Sequence, residues 1–385
     1  MTNNKDKKVL NVPNLRFPEF TGEWKKERLD EIAELSKGIG ISKEQLSSNG
    51  NPCILYGELY TKYKSEIISE VISKTNIEKN KLKHSKQNDV IIPCSGETAV
   101  DIAVARCVPF DNVLLGGDLN IIRLHKYDGA FMAYQLNSKR KIEIAKLAQG
   151  VSVVHLYGEN LKSINTFNPS LQEQQKIVRL LSLLDERIKV QNKIIEDLKK
   201  LKSAIYQELF SNLQGEEKSL SELAEITKGQ QVNGNQLNEN GKYYVMNGGI
   251  MPSGYYDDYN TEAGTISISE GGNSCGYVQY NKSKFWSGGH CYTLHIKPTA
   301  RISTLFLFHF LKWKEEDIMA LRIGSGLPNI QKKDLSKVRI IVPTFDKQQR
   351  LIALLSTLQM KIEYEEMYTI NLDKQKLHLL SQMFI

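Results

Sequence analysis

The sequence predicts an α+β protein in which two similar mixed α/β domains are separated by two long antiparallel helices. The helices would form an intramolecular coiled coil, and the whole would be a pseudo-twofold internal duplication. Three observations predict this class: motifs occur twice in the 385 residues, each copy ends in a long heptad-patterned segment, and each copy contains short strand patterns between glycine-rich turns. A repeat period of about 180 residues is too long for a solenoid, so it indicates a duplicated domain.

The repeat is clearest at the start of each copy. The segment Leu29–Gly57 matches Leu220–Gly248 at a shift of 191, with eleven of 29 positions identical. A second block, Leu161–Ile188, matches Leu335–Ile362 at a shift of 174, with nine of 28 identical. The shift decreases from 191 in the first block to 174 in the second. The first copy must therefore carry roughly 17 extra residues between the blocks, near Tyr60–Asn88.

Each copy ends in a segment with few glycines or prolines and with apolar residues at alternating steps of three and four. This heptad spacing predicts a long helix with one apolar seam. The seam residues are Ile177, Leu181, Leu184, Ile188, Ile195 and Leu198 in the first helix, and Leu351, Leu355, Leu358, Ile362, Leu372 and Leu379 in the second. Pro169 and Pro343 lie just ahead of the helices, where a proline costs no hydrogen bond. We expect the two seams to pack on each other; packing on the helix's own domain, or between two chains, is the alternative.

The block before each helix predicts a short helix, a Lys-Gly turn, several strands and a further helix. The short helix carries an apolar stripe, formed by Leu29, Ile32 and Ala33 in the first copy and by Leu220, Leu223 and Ala224 in the second. The predicted strands are Pro52–Tyr56, Asp89–Pro93, Ala103–Val108 and Asn120–Leu124 in the first copy, and Tyr243–Met246, Gly264–Ser269, Gly276–Tyr280 and Cys291–Ile296 in the second. The predicted helices that follow them are Ala130–Asn137 and Thr304–Lys314.

Loops rich in Gly, Ser, Asn and Gln separate these strands, and such loops can offer donors and acceptors to base edges of DNA. Any one of them read alone is an ordinary turn. The candidate DNA-binding residues are Lys37, Gly38, Ser95, Gly96, Glu97, Gln149 and Ser152 in the first copy, and Lys228, Gly229, Asn247, Gly272, Asn273, Ser325, Asn329 and Gln331 in the second.

Composition narrows the class of protein without naming a function. The net charge of +7 suits a polyanionic partner, although many surface lysines would give the same value. The five cysteines form no CxxC pair, which favours reduced thiols. No apolar run approaches the ~18 residues of a membrane span, and the polar start MTNNKDKKVL does not resemble a signal peptide, so we expect a cytoplasmic protein.

Catalytic signatures are not found in the sequence. It has no GxxxxGK phosphate loop, no [DN]PP[YF] methyltransferase motif and no HExxH, so we expect a chain with no catalysis of its own. A zinc site of Cys275, His290, Cys291 and His295 can be imagined, but the alternation predicts a strand whose residues face both ways, so no metal is expected. The ExxK spacing Glu143–Lys146 is better explained as a solvated helix face.

These features together resemble the specificity (HsdS) subunit of type I restriction–modification systems. The resemblance covers nearly all of the chain and rests on Pro169-x-x-x-x-Gln174-Gln175-Lys176-Ile177, on its copy Pro343 to Leu351, and on the repeated "LxEIAE…(S/T)KG" starts at Leu29 and Leu220. The opening Asn14–Pro18 is also typical. The loop Gly326–Ile330 has the family form, whereas its counterpart Ser152–Leu156 departs from it, so contact roles carry over less safely there.

The resemblance implies an N-terminal lead-in (1–20), target-recognition domain 1 (21–168), a central long conserved helix (169–212), target-recognition domain 2 (213–342) and a C-terminal long conserved helix (343–385). It implies double-stranded DNA, two modification (methyltransferase) subunits and two restriction (translocase/nuclease) subunits as partners. S-adenosylmethionine, ATP and magnesium would belong to those partners, and no cofactor to this chain. The expected target is bipartite and asymmetric. The alternatives are a stand-alone duplicated nucleic-acid-binding protein, and a nuclease or methyltransferase with unrecognised motifs.

Overall fold

The structure is a computed structural model that describes residues 10–324 and 326–385. The chain divides into two compact units: unit 1 comprises Met1–Asn192 with Met367–Ile385, and unit 2 comprises Lys193–Glu366. Each unit therefore combines one mixed α/β region with part of both long helices. No helix within the described ranges has the length and apolar character needed to span a bilayer.

Unit 1 contains the first α/β region. Its strands are β1 (Lys25–Arg28), β2 (Ala33–Lys37), β3 (Leu46–Ser47), β4 (Asn51–Ile54), β5 (Ser73–Thr75), β6 (Lys83–His84), β7 (Asp89–Pro93), β8 (Ser95–Gly96), β9 (Arg106–Val108), β10 (Leu114–Leu115), β11 (Leu119–Leu124), β12 (Val154–His155) and β13 (Asn165–Asn168). Its helices are α1 (Leu29–Ile32), α2 (Glu58–Thr61), α3 (Ala99–Ile102), α4 (Gly129–Asn137), α5 (Lys141–Lys146) and α6 (Gly158–Leu161), with 3-10 turns at Lys43–Gln45 and Lys79–Lys81. The first long helix, α7 (Leu171–Ser211), begins here and continues into unit 2.

Unit 2 repeats this plan with fewer elements. Its strands are β14 (Glu216–Ser219), β15 (Ala224–Lys228), β16 (Tyr243–Met246), β17 (Gly254–Tyr256), β18 (Thr265–Ser269), β19 (Val278–Asn281), β20 (Trp286–Ser287), β21 (Cys291–Ile296) and β22 (Arg339–Val342). Its helices are α8 (Leu220–Leu223), α9 (Thr304–Trp313), α10 (Glu315–Ala320) and α11 (Lys332–Leu335), with a 3-10 turn at Gly234–Gln236. The second long helix, α12 (Phe345–Met383), begins in unit 2 and ends in unit 1.

The central sheets of the two units have the same topology. The strand order is β2-β11-β7-β9 in unit 1 and β15-β21-β18-β19 in unit 2, and every neighbouring pair is antiparallel. A two-stranded ribbon closes each region beside its long helix, β1 with β13 and β14 with β22. The internal duplication predicted from the sequence is therefore confirmed at the level of strand order.

The second sheet of each unit is where the units differ. It has five strands in unit 1 (β3-β5-β4-β10-β6) and three in unit 2 (β17-β16-β20). Strands β5 and β6 both fall in the stretch Tyr60–Asn88, where the change of repeat shift predicted the extra residues.

The predicted strands Asp89–Pro93, Tyr243–Met246 and Cys291–Ile296 are confirmed at both ends. The remaining ones are displaced by one to three residues at one end or at both. The strand Ala33–Lys37 and its copy β15 were missed, because Leu29, Ile32 and Ala33 fit a helical stripe. Helix α1 ends after one turn. Ala33 has an extended backbone, with φ −147°, and is the first residue of β2, where it pairs with Leu124 of β11.

The two long helices run antiparallel within each unit. In unit 1, Asp185 of α7 pairs with Lys376 of α12, and Ile177 and Leu181 share a core with Leu380 and Phe384. In unit 2, Lys199 pairs with Glu366, Lys202 bonds to Gln359, and Tyr206 and Phe210 share a core with Leu351 and Leu355. In both units, residues later in α7 contact residues earlier in α12. The antiparallel pairing within one chain is thus confirmed.

The residues of the predicted seam are buried or half-buried along these helices. Ile177, Leu181, Ile195, Leu351, Leu355, Ile362 and Leu372 are buried, and Leu184, Ile188, Leu198, Leu358 and Leu379 are half-buried. The two cores are built from equivalent positions, since Tyr206 and Phe210 precede Leu380 and Phe384 by 174 residues. The helices also pack on their own domains, through Phe131 in unit 1 and Phe306 in unit 2. Each long helix therefore packs both on the other long helix and on an α/β region.

A buried glutamine joins each long helix to its α/β region. The Gln174 side chain accepts a hydrogen bond from the backbone N–H of Asp128 and donates one to the Pro169 carbonyl. In the same way Gln348 accepts from the Ser303 N–H and donates to the Pro343 carbonyl. Asp128 and Ser303 are the residues that cap α4 and α9, so the repeated Gln-Gln motif fixes a domain helix against a long helix.

Candidate nucleic-acid interface

The loops predicted to contact DNA in the first domain lie side by side. Strand β8 (Ser95–Gly96) pairs with β12 (Val154–His155), and the Gln149 and His155 backbones exchange hydrogen bonds of 2.9 and 2.7 Å across a tight hairpin. The side chains of Glu97, Gln149 and Ser152 are exposed along this edge. The structure therefore brings together two segments, Ser95–Glu97 and Gln149–His155, that are 52 residues apart in the sequence.

Lys37 lies at the end of β2, next to two aromatic side chains that the sequence argument missed. Its ammonium group is 5.8 Å from the centre of the Tyr157 ring. The Tyr157 ring stacks at 6.2 Å on His155, and both residues are exposed. A cation beside flat rings suits contact with phosphate and base surfaces. Only their closeness in sequence to the Gln149–Ser152 loop could have indicated them.

Gly38 and Gly96 lie at this edge for reasons of packing. A Cβ atom on Gly38 would be 1.9 Å from the Gly116 carbonyl oxygen, and one on Gly96 would be 2.5 Å from Cγ2 of Ile102. Both glycines let the chain approach a neighbouring segment closely. They shape the edge, and any contact they make with DNA would be through the backbone.

The second domain repeats this edge with different side chains. Ile323 and Asn329 exchange backbone hydrogen bonds across a hairpin, as Gln149 and His155 do, and Asn329 also bridges to Gly271. The Ile330 N–H bonds to the Glu270 carbonyl at 2.8 Å, as the Leu156 N–H bonds to that of Cys94 at 2.7 Å. Gly272, Asn273, Asn329 and Gln331 therefore lie near one another, with the last three exposed. Ser325 lies outside the described residues.

Both hairpins carry an exposed apolar residue that the sequence argument did not select. Val153 in the first hairpin and Leu327 in the second are equivalent at the shift of 174, and Leu327 is 85% exposed. An apolar side chain on a groove-reading loop can contact the methyl group of thymine.

Gly229 and Asn247 hold the turn Gly288–His290 at the second edge. A Cβ on Gly229 would be 2.2 Å from the Gly288 carbonyl oxygen, so no side chain fits there. The Asn247 side-chain oxygen accepts the backbone N–H of His290 at 3.0 Å. Asn247, predicted to contact DNA, thus uses its acceptor to fix the turn.

Lys228, the counterpart of Lys37, belongs to a polar cluster around Glu270. Its ammonium group lies 2.6 Å from Oε1 of Glu270, and the Tyr292 hydroxyl donates to the same oxygen at 2.9 Å. Burial, and then the hydrogen bond to Glu270, raise the pKa of Tyr292, so its hydroxyl remains a donor. The exposed imidazole of His290 lies 3.7 Å from Oε2 of Glu270. Neither Glu270 nor His290 was selected from the sequence as a DNA contact.

No group of three or more His, Cys, Asp or Glu side chains in the described parts of the chain is arranged to hold a metal ion. All five cysteines are buried and free, and burial raises the pKa of each thiol. Cys275 makes a hydrogen bond from its Sγ to the Glu270 carbonyl oxygen, 2.9 Å away.

Residues 21–200 and 213–372 match the family model of the type I restriction modification DNA specificity domain. A putative type I specificity subunit of Mycoplasma pneumoniae is 34% identical over 157 residues, which are 40% of this chain and 42% of the relative. One from Mycoplasma genitalium is 32% identical over 145 residues, 38% of each chain. The matched regions are thus less than half the length of these two relatives.

Solved structures share the fold. The S subunit of a type I restriction–modification system from M. genitalium superposes with a TM-score of 0.66 at 22% identity, over 97% of this chain and 99% of the other. A chain from a structure of the assembly of a type I restriction–modification system gives a TM-score of 0.58 at 17% identity, over 94% and 97%.

Proposed function

This chain belongs to the type I restriction–modification DNA specificity family, and from that premise we propose that it reads the DNA sequence for a type I restriction–modification complex. Each α/β region would read one short half-site in the major groove of duplex DNA. The chain would perform no chemistry itself. It would direct methylation of adenine, or cleavage, by its partner subunits.

The observation that carries the proposal is the pair of edges built on one framework with different side chains. His155 in the first edge is replaced by Asn329 in the second, Cys94 by Glu270, and Asn120 by Tyr292. The backbone pairing around these positions is the same in both. Because the exposed side chains of such an edge, here His155 and Asn329, would contact the bases, two different half-sites are expected, separated by bases that are not read.

Charge at these edges supports contact with DNA. Lys37 and Lys228 hold equivalent, exposed positions at the ends of β2 and β15. Lysines of this kind would bind phosphates and set the register, whereas Asn, Gln and Ser on the hairpins would specify bases. A spacing of roughly one helical turn (~34 Å) between half-site centres is expected for paired readers.

The proposed partners are two modification subunits, which bind S-adenosylmethionine and methylate adenine, and two restriction subunits, which use ATP and magnesium. An adenine must leave the base stack to be methylated, so the pocket that receives it would be in the modification subunit. This chain would select the site and hold the enzyme at it.

Sequencing of methylated adenines in cells that express this chain with a modification subunit tests the proposal. We expect one interrupted motif of two different half-sites, with a fixed number of unread positions between them. Cells that carry the modification subunit alone are the control, and should lack the motif. An uninterrupted or palindromic motif, or the same motif in the control, would contradict the proposal.

A further inference from the structure

We propose that His290 is a DNA-contacting residue of the second domain, that its Nε2–H group donates a hydrogen bond to an acceptor on DNA, and that Glu270 positions its ring. The inference rests on the proposed function, and identifies one contact through which the second half-site would be read. It starts from a polar atom that the cluster around Glu270 does not satisfy.

Glu270 is buried at the edge of the central sheet, with 9% of its surface exposed. Oε1 is satisfied twice, by Lys228 at 2.6 Å and by the Tyr292 hydroxyl at 2.9 Å. Oε2 is also buried, and among the described residues no donor lies within hydrogen-bond distance of it. A buried carboxylate oxygen without a donor is unfavourable, so a nearby donor that can move should be drawn to it.

His290 is the residue placed to supply that donor. Its Nδ1 lies 3.7 Å from Oε2, beyond a hydrogen bond but less than ~1 Å from one. Its backbone is fixed, because its N–H bonds to Asn247 and its carbonyl accepts the Glu270 N–H at 2.9 Å. Its side chain is 64% exposed, so the ring can turn towards Glu270 without moving the chain.

A hydrogen bond from Nδ1 to Glu270 determines what the other ring nitrogen does. Nε2 lies across the ring from Nδ1, so it would face away from the carboxylate and towards solvent. A histidine donates from both ring nitrogens as the imidazolium, so the proposed contact involves the charged ring, with Nδ1–H on the Glu270 carboxylate and Nε2–H on DNA.

Two kinds of acceptor on DNA suit a charged Nε2–H donor: an acceptor atom of a base in the major groove, above all the O6 and N7 pair of guanine, and a phosphate oxygen. The chemistry of the contact is the same, and its consequences differ. A guanine contact would fix one base of the half-site. A phosphate contact would strengthen binding equally for all sequences and would add about one unit to its salt slope.

The arrangement is specific to the second domain. The residue equivalent to His290 is Asp118, whose carbonyl accepts the Cys94 N–H as that of His290 accepts the Glu270 N–H. Cys94 thus replaces Glu270 and Asp118 replaces His290, so the carboxylate–imidazole pair is not repeated at these two positions. A change at His290 should therefore affect one half-site only.

The test is a double-mutant cycle with the full-length chain in complex with its modification subunit. The probe is a labelled duplex that carries the motif found by methylation sequencing, and the readout is the dissociation constant. His290→Ala should weaken binding roughly tenfold, the effect of one charged hydrogen bond. Glu270→Gln, which keeps the Oε1 acceptor for Lys228 and Tyr292, should weaken binding several-fold in the parent and not at all in the His290→Ala background.

His295→Ala is the matched control, because His295 is an exposed histidine on β21 whose ring bonds to Thr293. It should leave the dissociation constant unchanged. Thermal unfolding of each variant checks that the fold is kept. A Glu270→Gln loss that persists without His290 would show a structural role for Glu270 and would overturn its positioning role.

Duplexes with each half-site position varied, at two salt concentrations, distinguish the acceptors. Loss of preference for guanine at one position identifies a base contact, and a uniform loss with a smaller salt slope identifies a phosphate. If the parent binds the duplex and His290→Ala binds equally well, the inference fails while the proposed function stands; if the parent does not bind the motif, the proposed function itself fails.

Discussion

The ammonium group of Lys376 in α12 lies 2.6 Å from the Asp185 carboxylate in α7 and 2.5 Å from the Glu66 carboxylate. All three side chains are at most 12% exposed. The Tyr134 hydroxyl donates a further hydrogen bond to Asp185 at 2.6 Å. One buried cation therefore joins the two long helices of unit 1 to the segment that unit 2 lacks.

Replacing Lys376 should cost more stability than replacing Asp185. Lys376→Met leaves two buried carboxylates without their cation, and breaking such a pair typically costs about 3–5 kcal/mol. Asp185→Asn leaves Lys376 paired with Glu66 and removes a carboxylate whose pKa is raised, by burial above all, so a loss nearer ~1 kcal/mol is expected. Urea unfolding at neutral pH measures both. Glu66→Gln added to Lys376→Met should restore part of the loss, and a larger loss for Asp185→Asn than for Lys376→Met would refute this explanation.

The buried Gln348 should contribute strongly to stability, whereas its neighbour Gln349 should not. Gln348→Leu leaves the Ser303 N–H and the Pro343 and Arg301 carbonyls without their shared partner, which should cost about 2–4 kcal/mol. Gln349 is exposed, and Gln349→Leu should stay within about 0.5 kcal/mol of the parent. Chemical denaturation of both variants compares them, and equal effects would mean that the first glutamine is not a clamp.

Stability should fall in acid because of His309. Burial, reinforced by the charge of Lys202, lowers the pKa of His309 to about 4, and its Nδ1 is 2.6 Å from the Tyr206 hydroxyl. The folded pKa lies below the unfolded value of 6.5, so the unfolded state takes up more protons as pH falls. The stabilisation is complete above 6.5 and is lost progressively towards 4, by roughly 3 kcal/mol in total.

His309→Asn, which can still bond to Tyr206, should flatten the stability curve over this range. Urea unfolding at a series of pH values measures the slope, with the exposed His295→Asn as the control that keeps the parental slope. A parental slope in His309→Asn would assign the acid sensitivity to another group.

Gly38 and Gly40 are two residues apart but should differ sharply on substitution. Gly38→Ala would force a Cβ to within 1.9 Å of one backbone oxygen and 2.9 Å of another, whereas nothing lies within 4 Å of a Cβ on Gly40. We expect Gly38→Ala to lose at least ~2 kcal/mol and to weaken DNA binding, because the turn at Gly116 must shift. Gly40→Ala should match the parent in thermal unfolding; equal melting temperatures for the two variants would contradict the packing role of Gly38.

Much of the fold was predictable because repetition and periodicity are local properties of a sequence. The run Asp89–Pro93 has apolar residues on both faces, which predicts a buried strand, and β7 has these same bounds. Strand β2 was missed, since its start at Ala33 depends on pairing with Leu124, which no local pattern records. The repeat shift of 191 predicts that Lys37 and Lys228 are equivalent, and they do occupy the same position at the ends of β2 and β15.

The details of the candidate site were less predictable. His290 belongs to the turn Gly288–His290, and its relation to Glu270 depends on β18 and β21 being neighbours. Tyr157 and Val153 are ordinary residues until the hairpin exposes them. Residues whose role comes from a tertiary neighbour are invisible to spacing alone.

The central claim is that each domain reads its own half of the target. The measurement that tests it most directly is sequencing of methylated adenines after Leu29–Asn168 is replaced by the equivalent block of a relative with a different target. We expect one half-site to change to that of the donor, while the other half-site and the number of unread bases between them stay as in the parent. If both half-sites change, or neither does, the two domains do not read DNA independently, and the account is wrong.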